Sequence, residues 1–355
     1  IWKQHGVWGI NRRGKARLLR PDYFQQVDGR PVDFENDFYR PFAERFAEAI
    51  WEIDADAIIF LESQPNTPPP DWRADDAGRV AYAPHWYDDM TLFSKRYLPD
   101  VAVDIPEGRF IYGRSRVYQS FVQQLGLRKI WAAKHLHNAP VVIGETGIPM
   151  DLHQGRAYRT GNFSRQTEAY DRLLNALEAN LLNFTLWNYS PDNTNARGDL
   201  WNGEDLSLFS RDQQTDPDDI NSGGRALEAV VRPYASAIAG EPLLMRYDRI
   251  SGRFDLRFRD DPAVVAPTEL FVPNYAYPDG YTVEVSDGDY HIDHAAQRLI
   301  YRHAQHDTSH HLVIYSLSPP RPAPGRRWRW LIIVVLFVVA LRRIFAPYHT
   351  MRGQS

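Results

Sequence analysis

The stretch Val141-Val142-Ile143-Gly144-Glu145-Thr146-Gly147-Ile148-Pro149 decides the fold. Its β-branched apolar run reads as a strand buried on both faces, because such a strand needs no polar alternation. The run ends in a carboxylate between two glycines, which leave room for another group, or a substrate, to approach the backbone. Glu145 therefore stands where a buried strand opens into a loop, the position α/β enzymes use for chemistry. Taken by itself the residue reads first as a capping or ion-paired acid. Its neighbours argue otherwise.

Upstream, Ala57-Ile58-Ile59-Phe60-Leu61 reads as a buried strand. Val80 to His85 is a second, running into Ala83-Pro84-His85-Trp86-Tyr87-Asp88. Phe42, Ala43, Phe46, Ala47, Ile50 and Trp51 fall on one helical stripe before them. Residues 114 to 137 read as mostly helical, interrupted at Gly126. Residues 1 to 39 read as a long polar loop, and the basic patch from Arg12 to Arg17 as a solvated face. Downstream of Glu145, an amphipathic helix starts near Ser164 and turns Ala169, Tyr170, Leu173, Leu174 and Leu177 inward. Leu182 to Tyr189 is a fourth strand with period-two alternation. Phe184 and Leu186 face the helices, and Asn183, Thr185 and Trp187 the other side. A long Asp/Asn/Gly loop with Trp201 follows, then a helix through Leu227, Val230, Val231 and Tyr234.

Strands alternating with helices imply parallel β/α units. His85, Glu145 and Trp187 each lie at or near a strand's carboxyl end. In a (β/α)8 barrel those ends share one face, so three distant residues converge on one pocket. From about Pro242 the pattern changes to short strands punctuated by Asp279-Gly280 and Asp287-Gly288 turns. No helical period intervenes, which predicts a separate all-β sandwich. The expected class is thus α/β, with parallel β/α units over 1–240, which the resemblance given below implies to be the C-terminal half of a (β/α)8 barrel, then a β-sandwich over 241–318. A Pro-rich linker occupies 319–325, and a hydrophobic membrane-associated segment with its tail occupies 326–348.

That last segment runs from Arg326-Arg327-Trp328-Arg329-Trp330 into apolar residues 331 to 341 and closes with Arg342-Arg343. Counted from Trp330 it is 12 residues, about 18 Å as helix against a hydrocarbon core of roughly 30 Å. It is short for a span, and a buried element of the β domain competes with that reading. The flanking arginines and the paired tryptophans favour a membrane segment or in-plane anchor.

The composition fits these readings. A chain of 355 residues with formal charge −4 gives no reason to expect nucleic acid. Without cysteine there is no disulfide framework, thiolate metal site or cysteine nucleophile. Ten Trp and nineteen Tyr suit sugar or lipid surfaces as well as cores. His291, His294, His303, His306, His310 and His311 crowd the β region, but no carboxylate or cysteine pattern completes a ligand set. They are expected to be exposed, and no metal or cofactor is expected.

Three ordered motifs carry a resemblance: Ala83 to Asp88, Gly144-Glu145-Thr146-Gly147-Ile148-Pro149-Met150-Asp151, and Phe184-Thr185-Leu186-Trp187-Asn188-Tyr189. Together they resemble glycoside hydrolase family five. More narrowly they resemble its endoglycoceramidase-related branch, the fungal enzymes acting on glucosylceramide and steryl glucosides. The loop from Ser190 through Trp201 to Glu204, the opening Ile1 to Gly9 and the β region are similar to that branch too. The likeness implies a retaining hydrolase with Glu145 as nucleophile after the seventh strand. It implies His85 and Tyr87 after the sixth, with Tyr87 hydrogen-bonded to the nucleophile. Trp187, after the eighth, would floor the glucose site, and Trp201 joins the substrate-binding set. The implied partner is a glycolipid substrate.

One departure matters. The family's acid/base glutamate lies in an Asn-Glu pair after the fourth strand, and no Asn-Glu dipeptide occurs here. The chain is accordingly expected to be N-terminally truncated. Glu62 is the only local substitute, and the family pattern places the acid on the neighbouring strand instead. The alternative reading is a non-hydrolytic glycolipid-binding protein or a membrane-tethered scaffold. The sequons at Asn183 and Asn188 sit in or just beyond a predicted strand, where a glycan has little room, so neither is expected to be glycosylated; with the absence of cysteine they favour an intracellular protein, which the tail makes membrane-associated.

Overall fold

The structure, a computed structural model, describes residues 1–105, 107–304 and 308–318. The expected linker at 319–325, the membrane segment at 326–348 and His306 lie outside the described residues. Among the described residues no helix is long and apolar enough to cross a membrane.

Helix α1 is Arg40–Trp51, and strands β1 (Ile59–Leu61) and β2 (Val80–Tyr82) follow it. Helix α2 (Arg114–His135) leads to β3 (Val142–Thr146), and α3 (Ser164–Ala179) leads to β4 (Asn183–Leu186). β1 pairs with β2 in parallel, and β3 with β4. Parallel bridges Tyr82–Val141 and His85–Glu145 join the two pairs. Four strands therefore stand side by side in chain order, the arrangement of half a (β/α)8 barrel.

The alternation reads out directly in burial. Ile59, Leu61, Val80, Tyr82 and Ile143 are buried among helical side chains including Ala47, Trp51, Leu125, Ala132, Leu173 and Leu177. On the opposite face Phe60, Asn183 and Thr185 are exposed. Phe184 and Leu186 pack against the helical core as the alternation requires.

Several local readings differ. Residues 1–39 are not one loop but include two short hairpins, Trp8–Ile10 with Ala16–Leu18 and Gln26–Val27 with Arg30–Pro31. The basic patch lies at the first hairpin's exposed turn. On α1 the buried stripe is Ala43, Ala47 and Trp51, whereas Phe42 and Phe46 are exposed and stacked on each other. The small residues meet the strands, and the phenylalanines project to the side. Helix α2 runs unbroken through Gly126, because that glycine makes room for Asn180. A Cβ there would stand 2.8 Å from the Asn180 side-chain oxygen, while Asn180 Nδ2 donates to Val122 O and Ala176 O. The predicted helix beyond Leu227 is only Leu227–Val230, and Tyr234 already begins a strand.

That strand, β5 (Tyr234–Ala237), opens the sandwich ahead of residue 241. It is followed by β6 (Gly240–Asp248), β7 (Arg253–Asp260), β8 (Thr268–Phe271) and β9 (Tyr281–Val285). β10 (Asp289–Asp293), β11 (Arg298–Arg302) and β12 (Ser309–Ser316) complete it. The two antiparallel sheets run β5-β8-β11-β10 and β6-β7-β12-β9. Phe254, Leu256, Phe258, Leu270, Leu299, Tyr301, Leu312 and Ile314 fill the space between them. His310 is fully buried here, contrary to the expectation that these histidines are exposed. β12 is an inner strand of its sheet, and the period-two alternation turns His310 inward.

The sandwich is joined to α3 by charge. Glu178 Oε1 lies 2.9 Å from Arg232 Nε, and Glu178 Oε2 accepts the Tyr247 N–H at 3.1 Å. Arg232 also donates to Asn175 Oδ1 at 2.9 Å and to Tyr247 O at 3.2 Å. Glu178 and Arg232 are both buried.

Candidate active site

The carboxyl ends of β2, β3 and β4 meet through their backbones. Gly144 N donates to Pro84 O and Trp86 N to Glu145 O, each at 3.0 Å, and Trp187 N donates to Thr146 O at 2.8 Å. The two glycines permit this approach. A Cβ on Gly144 would lie 2.9 Å from Ala83 O, and one on Gly147 only 2.1 Å from Trp187 O. Neighbouring strands, rather than a substrate, are what require glycine at both positions.

The side chains then converge. Tyr87 Oη donates to Glu145 Oε1 at 2.5 Å. His85 Nδ1 lies 3.5 Å from Glu145 Oε2 and 3.2 Å from Glu62 Oε1, so one imidazole faces two carboxylates. Burial, followed by the hydrogen bond to Glu145, pushes the Tyr87 pKa far up, and its hydroxyl stays protonated as a donor. Glu204 adds to that shift as a further negative charge. It lies in the motif loop, but its residue type by itself gave no reason to assign it a role.

Trp187 leaves β4 on the open face, beside Thr146, and is 37% exposed. Trp201 is 62% exposed. Among the described residues no hydrogen bond or ring contact ties it to Glu145 or Trp187. The structure thus brings Glu145, His85 and Tyr87 together, sets Trp187 on the adjoining strand end, and leaves Trp201 out on a loop.

That loop is braced from below. Asn193 Nδ2 donates to Asp199 Oδ1 at 2.8 Å and to Asp205 Oδ1 at 3.0 Å. Asp199 also accepts Asn188 Nδ2 at 3.2 Å and Leu206 N at 2.8 Å. Arg225, fully buried, grips Asp205 through both terminal nitrogens at 3.0 and 2.5 Å and donates to Ser207 O. Lys95 Nζ bridges Asp151 at 2.5 Å and Gly203 O at 3.2 Å. No sequence signal marked Arg225 or Lys95, whose partners lie far away along the chain.

A strand-end carboxylate held by a tyrosine and faced by a histidine thus stands on a β/α wall that leads into a sandwich. The family profile described as Glycoside hydrolase family 5 C-terminal domain matches residues 232–314. The chain belongs to glycoside hydrolase family 5, in its endoglycoceramidase-related branch.

The particular likenesses are to fungal proteins. A glucosylceramidase of Cryptococcus neoformans is 33% identical over 84% of this chain and 44% of its own length. An ergosteryl-beta-glucosidase of Saccharomyces cerevisiae is 27% identical over 92% of this chain and 51% of its own length. The crystal structure of Cryptococcus neoformans sterylglucosidase 1 superposes with a TM-score of 0.80 at 28% identity, covering 90% of this chain and 50% of that one. The chain spans about half the length of these relatives.

Proposed function

We propose that this chain supplies the nucleophile half of a retaining β-glucosidase active site acting on glycolipids such as glucosylceramide or steryl glucosides. The observation that carries the proposal is Glu145 at a strand end, with one carboxylate oxygen accepting from Tyr87 and the other facing His85. In this reading a Glu145 oxygen forms a bond to the anomeric carbon as the bond to the aglycone oxygen breaks. A second carboxylic acid, on a strand outside those described, gives that oxygen its proton. The same group, now a base, takes a proton from the water that hydrolyses the glycosyl ester. Tyr87, kept protonated, holds the carboxylate in one orientation, and Trp187 offers its ring face to the apolar side of the sugar. The relatives named glucosylceramidase and ergosteryl-beta-glucosidase support a lipid β-glucoside as substrate.

Trapping with a 2-fluoro-β-glucoside tests this reading, using the protein extended through any coding sequence upstream of Ile1. A covalent label on the peptide containing Glu145 is expected; a label on another carboxylate, or none with turnover intact, overturns the assignment. In the same protein Tyr87→Phe is expected to lower kcat roughly 10- to 100-fold with little change in KM. That range corresponds to about 1.5–3 kcal/mol for a hydrogen bond to a charged group. Steady-state kinetics on an aryl glucoside checks it.

The proposal also includes an intracellular protein whose segment at 326–348 brings the open face to a lipid surface. Arginines on both flanks and tryptophans at one end support that reading. A version ending at Ser318 is expected to leave the membrane fraction to which the whole chain sediments. Equal partitioning of the two would remove the tail from the argument.

A further inference from the structure

Two histidines and an aspartate meet inside the sandwich, and the chemistry proposed at Glu145 uses none of them. Asp260 ends β7, His303 follows β11 and His310 lies in β12, so both sheets contribute. One ligand atom from each lies within 4.8 Å of the other two. His310 Nε2 stands 3.7 Å from Asp260 Oδ1, and His303 Nε2 stands 4.0 Å from Asp260 Oδ2. The two imidazole rings lie 4.4 Å apart, centroid to centroid. The side chains of Asp260 and His310 are fully buried, and that of His303 is 10% exposed.

His310 is the informative residue. Its Nδ1 lies 2.8 Å from Asp287 Oδ2. A ring nitrogen facing a carboxylate carries the proton, so in the neutral ring Nε2 presents its lone pair. That Nε2 is buried and makes no hydrogen bond. Folded proteins seldom leave such an atom unsatisfied. The 3.7 Å from Nε2 to Asp260 Oδ1 is too long for a hydrogen bond.

We propose that Asp260, His303 and His310 bind a divalent transition ion of the zinc type, with Asp287 as the carboxylate that orients His310 from behind. Two imidazoles and a carboxylate form a donor set suited to zinc, with bonds of about 2.0–2.2 Å. Drawing the three ligand atoms onto one ion needs movements of less than about 1 Å each. Calcium is a poor fit, since it takes six to eight oxygen ligands. The His310–Asp287 contact has the form of the carboxylate–histidine–zinc arrangement that raises ligand basicity. Asp287 also accepts the Ala304 N–H at 2.7 Å, so the same carboxylate holds the chain beside His303. An ion here would pin the crossover from β11 to β12 between the two sheets, a structural role separate from glycoside chemistry.

Zinc itself is the probe. The 355-residue protein, stripped with a chelator and returned to chelator-free buffer, is titrated with zinc by calorimetry and, in parallel, with cobalt(II) by absorption. One zinc per chain, cobalt bands of a four-coordinate site and a raised melting temperature are expected. Asp287→Asn is expected to weaken zinc binding about 10- to 100-fold. His303→Gln, at a partly exposed position, is expected to abolish it without unfolding the sandwich. His291→Gln, on the exposed strand β10, should leave it unchanged. The proposal is overturned if the parent protein binds zinc no better than His303→Gln, or if His291→Gln loses as much. It is equally overturned if nitrogen NMR finds His310 protonated on both ring nitrogens in zinc-treated protein.

Discussion

Replacing Glu145 by Gln in the protein extended upstream of Ile1 is expected to lower turnover of a β-glucoside by roughly 10⁴-fold or more, with the fold intact. The change keeps the shape of the side chain and an acceptor for Tyr87, but removes the charge that attacks the anomeric carbon. Loss of a covalent nucleophile removes a whole reaction path rather than one contact, which is why single changes of this kind cost several orders of magnitude. Because the amide oxygen of the replacement could still accept the Tyr87 hydrogen bond, circular dichroism and the melting temperature should match the parent. Near-normal hydrolysis of a glucosyl lipid by Glu145→Gln would overturn the assignment. A large drop in melting temperature would instead show Glu145 to be a structural acid.

The second large effect is on stability. Arg225→Met is expected to destabilise the β/α half by about 3–5 kcal/mol, because it leaves Asp205 buried without its cation. Asp205 would retain Asn193 and the Tyr158 hydroxyl, neither of which carries charge. The carbonyl of Ser207, which now accepts from Arg225, would lose that partner. Tryptophan emission during urea unfolding of a version ending at Ser318, which lacks Trp328 and Trp330, measures this selectively, since no tryptophan lies between residues 232 and 318. A change below about 1 kcal/mol would mean that water replaces the guanidinium, and that the pair is not sealed as its geometry indicates.

The sequence carried the architecture well wherever burial imposes a period. The apolar runs at 57–61, 80–85, 141–146 and 182–189 lie in a wall covered by helices, and that environment selects β-branched residues and alternation. His85 and Glu145 were legible as neighbours because strand ends in a parallel wall share one side, whereas the Tyr87 bond to Glu145 was implied only by the family resemblance. Boundaries were less legible. Gly126 looked like an interruption, but the Asn180 side chain at the end of another helix packs over it, and pattern within one segment cannot reveal that. Phe42 and Phe46 looked inward because they are large, yet at that interface alanine fits the strands more closely. Arg225 and Lys95 were invisible, and Asp260 could not be joined to the histidines His303 and His310, since each acquires its partners only when distant segments fold together.

The Glu178–Arg232 joint has a mechanical consequence. α3 ends at Ala179, the residue after Glu178, and the chain passes from there almost directly into β4, whose end carries Trp187. The sandwich is bolted to that helix through Glu178, Asn175 and the backbone of Tyr247. Swinging the sandwich would therefore tug on α3 and shift the tryptophan wall relative to Glu145. A module that looks appended in the chain order is thus tied to the helix that leads into the strand ending at Trp187.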